Sequence, residues 1–509
     1  MTLGDMLRRN ARIYPTKTSL VYDGERFTWR GTLARVNALT RALLGIGVKK
    51  GDRIAILSDN SHRYLEIYLA AAQAGFIIVP LNSMLTPAEL NGLVLNAEPV
   101  VLFCGKGYLE KKNHLKSGCP CIRHFIGLED HDCNYDYEDL IRNSSTQDIY
   151  SDIGPDDIFS ISYTSGTTGN PKGAALTHRA CYMAAIIHSL EWRVTPADNY
   201  LFLGRLFFAA GGSKFIPFFR GCKIVVTGFE PAGTLELIER ERISTFSTGP
   251  TIINSLVTHP DVSRYRLDSI RSIGYTSAPM PAAIWQKANQ VLGEVGVSTY
   301  GLTETNATGL ILHPEDVYPL DNELRQKRLG SVGKAMALMD IRVIDPEGVD
   351  VDWGKGEICE IIIKGQTLTA GYWNNPSESA KTIKDGWFYT GDLATIDEDG
   401  YIYIVDRKKD IIISGGINIS SREVEEVLYQ HQAVGEAAVI GVPDQKWGET
   451  VKAVIQLNDS FSVTEKELID FCRSRLASYK KPTSIDFVRD LPRTSSGKIN
   501  RRLVREKYW

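Results

Sequence analysis

The sequence predicts an α/β protein: a large N-terminal domain of parallel-type β/α subdomains plus a small β-barrel, followed by a small C-terminal α+β domain. Three observations carry this reading. Helical and strand patterns alternate through the first third and again over residues 224–248, the pattern of parallel sheets covered by helices. From Gly330 the chain changes to short strands separated by Gly, Asp and Pro turns, Asp399-Gly400 among them, which reads as antiparallel hairpins or a small barrel. After Asp406 strands and helices follow one another over about a hundred residues, a normal size for a separate unit. The expected domains are therefore 1–405 and 406–509.

Each element follows from its local pattern. Residues 33–44 have helical spacing, 53–57 are strand-like, and 63–73 are helical before 76–80 extends again. The most apolar stretch, 68–81, is too short to span a bilayer and reads as a buried helix running into a strand. Residues 158–163 form an apolar, β-prone run, and the cycle returns with strand 224–227, helix 235–242 and strand 245–248. Residues 341–344, 357–364, 387–389 and 401–405 are the short strands of the middle region. The C-terminal region reads as helix 421–430, strands 437–442 and 451–457, and helix 465–477.

A chain of 509 residues exceeds what one core usually supports, so two to four structural units are expected, on the order of one per 100–200 residues. Apolar content of 43% and charged content of 23% are ordinary for a globular protein. A net charge of −3 gives no reason to expect nucleic acid or an anionic membrane as partner. The first ten residues lack the apolar core of a signal peptide, so a cytoplasmic protein is expected. Eight cysteines are scattered, and Cys119-Pro-Cys121 has neither zinc-ribbon nor redox spacing; free thiols in a reducing compartment are expected.

The stretch Tyr163-Thr-Ser-Gly-Thr-Thr-Gly-Asn-Pro-Lys-Gly-Ala174 carries the chemistry. It is a strand running into a glycine- and hydroxyl-rich loop, which can wrap backbone N–H groups around phosphate oxygens with Lys172 as a point charge. It is not a Walker A loop, because no Gly-Lys-Ser/Thr closes it. Four further stretches follow in order: Tyr300-Gly-Leu-Thr-Glu-Thr305, Tyr389-Thr-Gly-Asp-Leu393, Asp406-Arg-Lys-Lys-Asp410 running into Ser414-Gly-Gly416, and Pro492-Arg-Thr-Ser-Ser-Gly-Lys498. With this spacing the chain resembles, over nearly its whole length, the adenylate-forming superfamily of acyl-CoA synthetases, peptide-synthetase adenylation domains and luciferases.

The resemblance implies that a carboxylate attacks the α-phosphate of ATP, expels pyrophosphate and forms an acyl-adenylate; a thiol, often that of coenzyme A, then displaces AMP. It implies ATP, Mg2+ and coenzyme A as co-reactants. Lys498 matches the lysine bridging the attacking carboxylate and the α-phosphate, Glu304 the magnesium-holding acid, and Thr303 a contact near that phosphate. Thr164, Ser165, Gly166, Thr167, Thr168, Gly169 and Lys172 match the phosphate loop. Ser277, Ala278 and Pro279 match the adenine loop, with serine where glycine is usual. Tyr300 would lie against adenine, while Asp392 and Arg407 would contact the ribose. Ser414, Gly415 and Gly416 resemble the loop that passes the pantetheine arm, with Trp447 along it. Asp406 would be the hinge about which a mobile C-terminal domain swings between half-reactions.

The main departure is Arg205-Leu-Phe-Phe-Ala-Ala-Gly-Gly212, where many acyl-CoA synthetases have Pro-x-Phe-His-x-x-Gly. Phe208 replaces the tunnel histidine, and the aspartate that anchors an α-amino group is missing. An amino acid would bury its ammonium without a counter-ion. An apolar acid suits Phe207, Phe208, Tyr275 and Gly301 better, since ligand pockets are largely apolar. The expected activity is an ATP-dependent carboxylic acid:CoA ligase acting on an aromatic, alicyclic or medium-chain acid. The alternatives are a stand-alone enzyme loading a carrier protein, and a non-catalytic nucleotide-binding protein, against which Lys498 and Glu304 argue.

Overall fold

The computed structural model describes residues 2–129, 132–164, 171–208, 212–276, 280, 282–320, 322–458, 461–494 and 498–509, without the side chains of Ala282 and Ala283. These residues form two compact units. The first holds 2–164, 171–341 and 363–388, the second 342–362 and 389–509.

Alternation of helix and strand gives the first unit two mainly parallel sheets. In one, the strands lie in the order Tyr135–Asp136, His124–Gly127, Val101–Cys104, Arg53–Leu57, Ile77–Pro80, Ile158–Thr164 and Lys172–Thr177. Val101–Cys104 and Ile77–Pro80 are buried along their whole length, as expected of strands covered on both faces. The expected helix at 63–73 is His62–Ala74, started by the Ser61 hydroxyl accepting from the Tyr64 N–H. Almost every residue of this helix is buried, which accounts for its apolar sequence.

The second sheet runs Lys334–Ala335, Leu310–Leu312, Gly296–Tyr300, Ser272–Tyr275, Thr245–Thr248, Asn199–Phe202, Lys223–Val226, Thr18–Tyr22 and Glu25–Thr28. Its six middle strands are parallel, and antiparallel strands flank them. Parallel sheets place ligands beyond the carboxyl ends of their strands. The motifs beginning at Thr164 and Gly301 both leave their strands at that end.

In the second unit, Val434–Asp444 and Gly448–Leu457 form a long antiparallel hairpin, flanked by the pair Ile412–Ser414 and Ile417–Ile419. Side chains alternate across the hairpin. Ala437 and Val439 join Val424, Leu428, Leu468 and Cys472 on one face, while Ala438 and Ile440 join Leu491 and Val504 on the other. Helix Glu465–Arg473 ends at Ser474 rather than at 477, because Ser474 to Leu476 close a tight turn onto the carbonyls of Asp470 and Cys472. Among the short strands expected after Gly330, Ile402–Arg407 pairs antiparallel with Trp387–Ile396. All eight cysteines are free thiols. Among the described residues no helix is long and apolar enough to cross a membrane.

Candidate active site

Strand Ile158–Thr164 returns antiparallel as Lys172–Thr177, with Thr164 in register with Lys172. The Thr164 hydroxyl donates to the Lys172 carbonyl at 3.4 Å. Ser165, Gly166, Thr167, Thr168 and Gly169 lie outside the described residues, as do Ser277, Ala278 and Pro279. Lys172 is mostly buried; its amine is paired with Glu378 and stands 5.4 Å from the centre of the Tyr372 ring.

Tyr372 links this lysine to the second motif. Its hydroxyl donates to Glu304 Oε1 at 2.8 Å, and burial, then the Glu304 carboxylate, push the phenol far above its ordinary range. The backbone ties the same segments together: Thr369 N–H donates to the Glu304 carbonyl at 2.7 Å, and Trp373 N–H to the Gly173 carbonyl at 2.7 Å. Glu304, Tyr372, Lys172 and Glu378 thus form one chain with an acid at each end and two donors between. Tyr372 and Glu378 were missed from the sequence, because Gly371-Tyr-Trp-Asn-Asn-Pro376 carries only a turn signal.

Glu304 is aimed by an unusual turn. After Tyr300 the chain makes a single 3-10 turn at Thr303–Thr305, and Asn306 and Ala307 follow with φ of 54° and 61°. A side chain at Gly301 would run into the Ala307 backbone, so the turn closes only with glycine there. Asn306, fully buried, accepts from the Gly212 N–H at 3.0 Å and donates to the Thr367 carbonyl at 2.8 Å. Thr303 and Tyr300 are half-buried beside this turn. Asparagine tolerates the left-handed region, while Ala307 costs about 1–2 kcal/mol there.

In the second unit, burial alternates along Trp387–Ile396 and puts Thr390 and Asp392 on the inward face. Asp392 stands opposite Arg407 in the ladder, and the Arg407 Nε meets its Oδ1 at 2.6 Å. Beside Lys498, Thr494 N–H donates to the Lys498 carbonyl at 2.7 Å and Arg493 bridges Ile499 antiparallel. Burial, with Arg407 adding and Asp392 opposing, holds the Lys498 amine below the ordinary lysine range. The residue as a whole keeps an exposed surface, while its amine stands near Arg407 and Asp392. Three sequence-predicted residues, Asp392, Arg407 and Lys498, therefore share one neighbourhood.

Asp406 precedes Arg407 in strand Ile402–Arg407 and is buried. One of its oxygens accepts from the Arg407 N–H at 2.7 Å; the other accepts from the Ser420 and Ser421 hydroxyls at 3.2 and 2.8 Å and from the Arg422 N–H at 3.3 Å. It anchors the start of helix Ser421–Leu428. Ser414 leads into a two-residue turn in which Gly415 and Gly416 have φ of 56° and 80°, the left-handed pair that a tight hairpin needs. Gly415 N–H donates to the Trp447 carbonyl at 2.7 Å. A Cβ at 415 would meet the Trp447 ring at 2.8 Å. The fold thus brings Gly415 against Trp447.

The acid-pocket residues are dispersed by comparison. Phe207 and Phe208 sit on a 3-10 turn with ring centres 4.3 Å apart, and Phe208 is 45% exposed. Tyr275 is buried edge-on against Trp285 at 5.0 Å.

The AMP-binding enzyme family matches residues 7–373, and the AMP-binding enzyme C-terminal domain matches 423–498. A feruloyl-CoA synthase of Amycolatopsis sp is 35% identical over 511 residues, covering 99% of both chains. A long-chain-fatty-acid–CoA ligase of Bacillus subtilis (strain 168) is 32% identical, covering 99% of this chain and 94% of its own. A solved anthranilate CoA ligase in complex with anthranoyl-AMP superposes with a TM-score of 0.89 at 29% identity, over 100% of this chain and 97% of that one. The chain belongs to the AMP-binding enzyme family, within the adenylate-forming superfamily, and is an AMP-forming acid–thiol ligase.

Proposed function

We propose that this ligase activates an apolar carboxylic acid as its acyl-adenylate and passes the acyl group to coenzyme A. The observation that carries the reading is the company Lys498 keeps. It stands beside Arg407 and Asp392, in the same unit as the Gly415–Gly416 turn and Trp447. One unit thus holds a cation suited to in-line attack on a phosphate and a narrow glycine passage suited to a thiol arm. Attack of an anion on a polyanion needs charge neutralised and reactants aligned.

Glu304 fits a magnesium role. It is a buried, hard oxygen donor, and among the described residues no cluster of His, Cys, Asp and Glu could cage a metal unaided. Magnesium commonly relies on one or two carboxylates plus substrate phosphates and waters. When bound it would neutralise phosphate charge, while Tyr372 holds the Glu304 carboxylate in place.

The acid is aromatic, alicyclic or medium-chain in this reading. Phe207 and Phe208 offer ring surface, and no acid side chain stands in that motif for an α-ammonium. The names of the relatives span feruloyl and long-chain fatty acyl groups. Pyrophosphate release across a panel of carboxylic acids, with and without coenzyme A, tests the reading. Turnover of apolar acids to acyl-CoA is expected; preference for α-amino acids would overturn it. Exposed Ile413, Ile417 and Trp447 around the glycine turn also favour a protein-borne thiol as a second reading. Thioester formation with free coenzyme A and no carrier protein separates the two.

A further inference from the structure

Asn306 meets separate segments of the first unit, and its partners fix which way its amide points. Gly212 N–H donates to Oδ1 at 3.0 Å, and the Cys181 thiol donates to the same oxygen at 3.5 Å. Nδ2 donates to the Thr367 carbonyl at 2.8 Å. A backbone N–H can donate but not accept, and a carbonyl the reverse, so the two ends of the amide cannot be exchanged. The side chain is wholly buried, and there a polar group pays heavily for losing its partner. Both amide contacts are therefore held firmly.

The two contacts lead to different parts of the site. Thr367 begins the stretch that grips Glu304 twice, through the Thr369 N–H to its carbonyl at 2.7 Å and the Tyr372 hydroxyl to its carboxylate at 2.8 Å. Gly212 ends the Arg205–Gly212 motif. It is pressed onto helix His178–Glu191, where a Cβ would stand 2.6 Å from that of Ala184. The start of the motif has an asparagine of its own. Asn60 donates to the Gly204 carbonyl at 2.8 Å and accepts from the Leu206 N–H at 2.9 Å. Its third bond goes to the Thr227 carbonyl at 3.0 Å, just past strand Lys223–Val226. Asn60 thus ties the motif to a strand end, whereas Asn306 ties it to the turn that carries Glu304.

We propose, on the reading that gives the 205–212 motif to the acid and Glu304 to magnesium, that Asn306 is a positioning residue which fixes the acid motif and the Glu304 turn in one relative placement. The acid and magnesium-bound ATP then meet a single preorganised frame. In-line attack requires the carboxylate and the α-phosphate to be held at reacting distance, and a misplacement of about 1 Å costs on the order of a hundredfold in rate. A side chain that anchors both walls has more leverage than one that anchors either.

Pyrophosphate release by the full chain, with the panel acid of highest kcat/KM, gives the two readouts: the acid KM and the half-saturating magnesium concentration. Asn306→Gly keeps the left-handed backbone and deletes both amide contacts. It should raise each readout about tenfold, the loss of one net hydrogen bond on each side. Asn306→Ser carries the same expectation where the glycine variant does not fold. Asn306→Asp retains the acceptor for the Gly212 N–H and should bring the acid KM back to within about threefold of the parent. Asn60→Ala should raise the acid KM and leave the magnesium requirement where it was. Parent values of both readouts in folded Asn306→Gly, or a rise in one alone, would overturn the proposal. So would an acid KM in Asn306→Asp as high as in Asn306→Gly, or a magnesium requirement that climbs in Asn60→Ala as well. Glu304→Gln separates this outcome from the reading beneath it. An unmoved magnesium requirement there takes Glu304 away from magnesium; a raised one there, beside an unmoved one in Asn306→Gly, rules out Asn306 alone.

Discussion

Lys498 is a residue whose charge its neighbours control, and that makes its role measurable. Burial and Arg407 lower the pKa of its amine while Asp392 opposes them. In the proposed role the charged form neutralises phosphate, so activity is lost as pH rises through the lowered value. The alkaline limb of acyl-AMP formation should therefore lie below that of an ordinary lysine. In Lys498→Arg the limb should move up, because guanidinium stays protonated; an unmoved limb would assign it to another group. Lys498→Ala should slow acyl-AMP formation at least ~100-fold, as for loss of one preorganised electrostatic donor. Thioester formation from ready-made acyl-AMP should persist. Tyr372 makes a second prediction. Tyr372→Phe removes the hydroxyl that holds Glu304 Oε1, a hydrogen bond to a charged group worth about 1.5–3 kcal/mol. Adenylation should fall by roughly 10–100-fold and recover partly at high magnesium. Unchanged kinetics would leave the contact structural only.

Elements decide how much of this could be read in advance. The glycine- and hydroxyl-rich stretch after Thr164, the Glu304 turn and the C-terminal lysine are short stretches whose residue types stand out in line. Strand and helix positions were legible for the same reason: periodicity is local, as in the buried run Val101–Cys104. Contacts that close over distance were not. Tyr372 reaches Glu304 across 68 positions and Glu378 reaches Lys172 across 206, and no local pattern encodes such pairings. The exposure of Phe208 was equally hidden, because an aromatic pair in sequence does not reveal which ring faces solvent. The glycine turn lies between these cases. Gly415-Gly416 announces a tight hairpin, but only the fold shows Trp447 packed against it. Gly415→Ala adds a Cβ in the left-handed region, at a cost of about 1–2 kcal/mol, and pushes it into the Trp447 ring. Thioester formation should slow while acyl-AMP formation continues, as read by pyrophosphate release against acyl-CoA yield. Equal loss in both assays would make the hairpin a folding element and not a passage.

For the whole molecule the question is how one chain serves two half-reactions in turn. We propose rotation about Asp406, a step of the kind that gates many enzymes. The carboxylate of Asp406 complicates the obvious test, because it holds Ser420, Ser421 and the Arg422 N–H at the start of helix Ser421–Leu428. Asp406→Pro would fix φ and delete those bonds together. Asp406→Asn separates the effects: it keeps one acceptor oxygen and an unrestricted backbone. If rotation at this residue is required, Asp406→Pro should form acyl-AMP at a near-normal rate and lose thioester formation, while Asp406→Asn retains both within about tenfold, the worth of one weakened hydrogen bond. If instead the helix anchor is what matters, both variants should lose stability and both half-reactions together. A third outcome has its own meaning. The compact second unit begins again at residue 389, upstream of Asp406. Full turnover in a folded Asp406→Pro enzyme would move the pivot to that earlier crossing, where proline substitutions at 388 and 389 would be the next measurement.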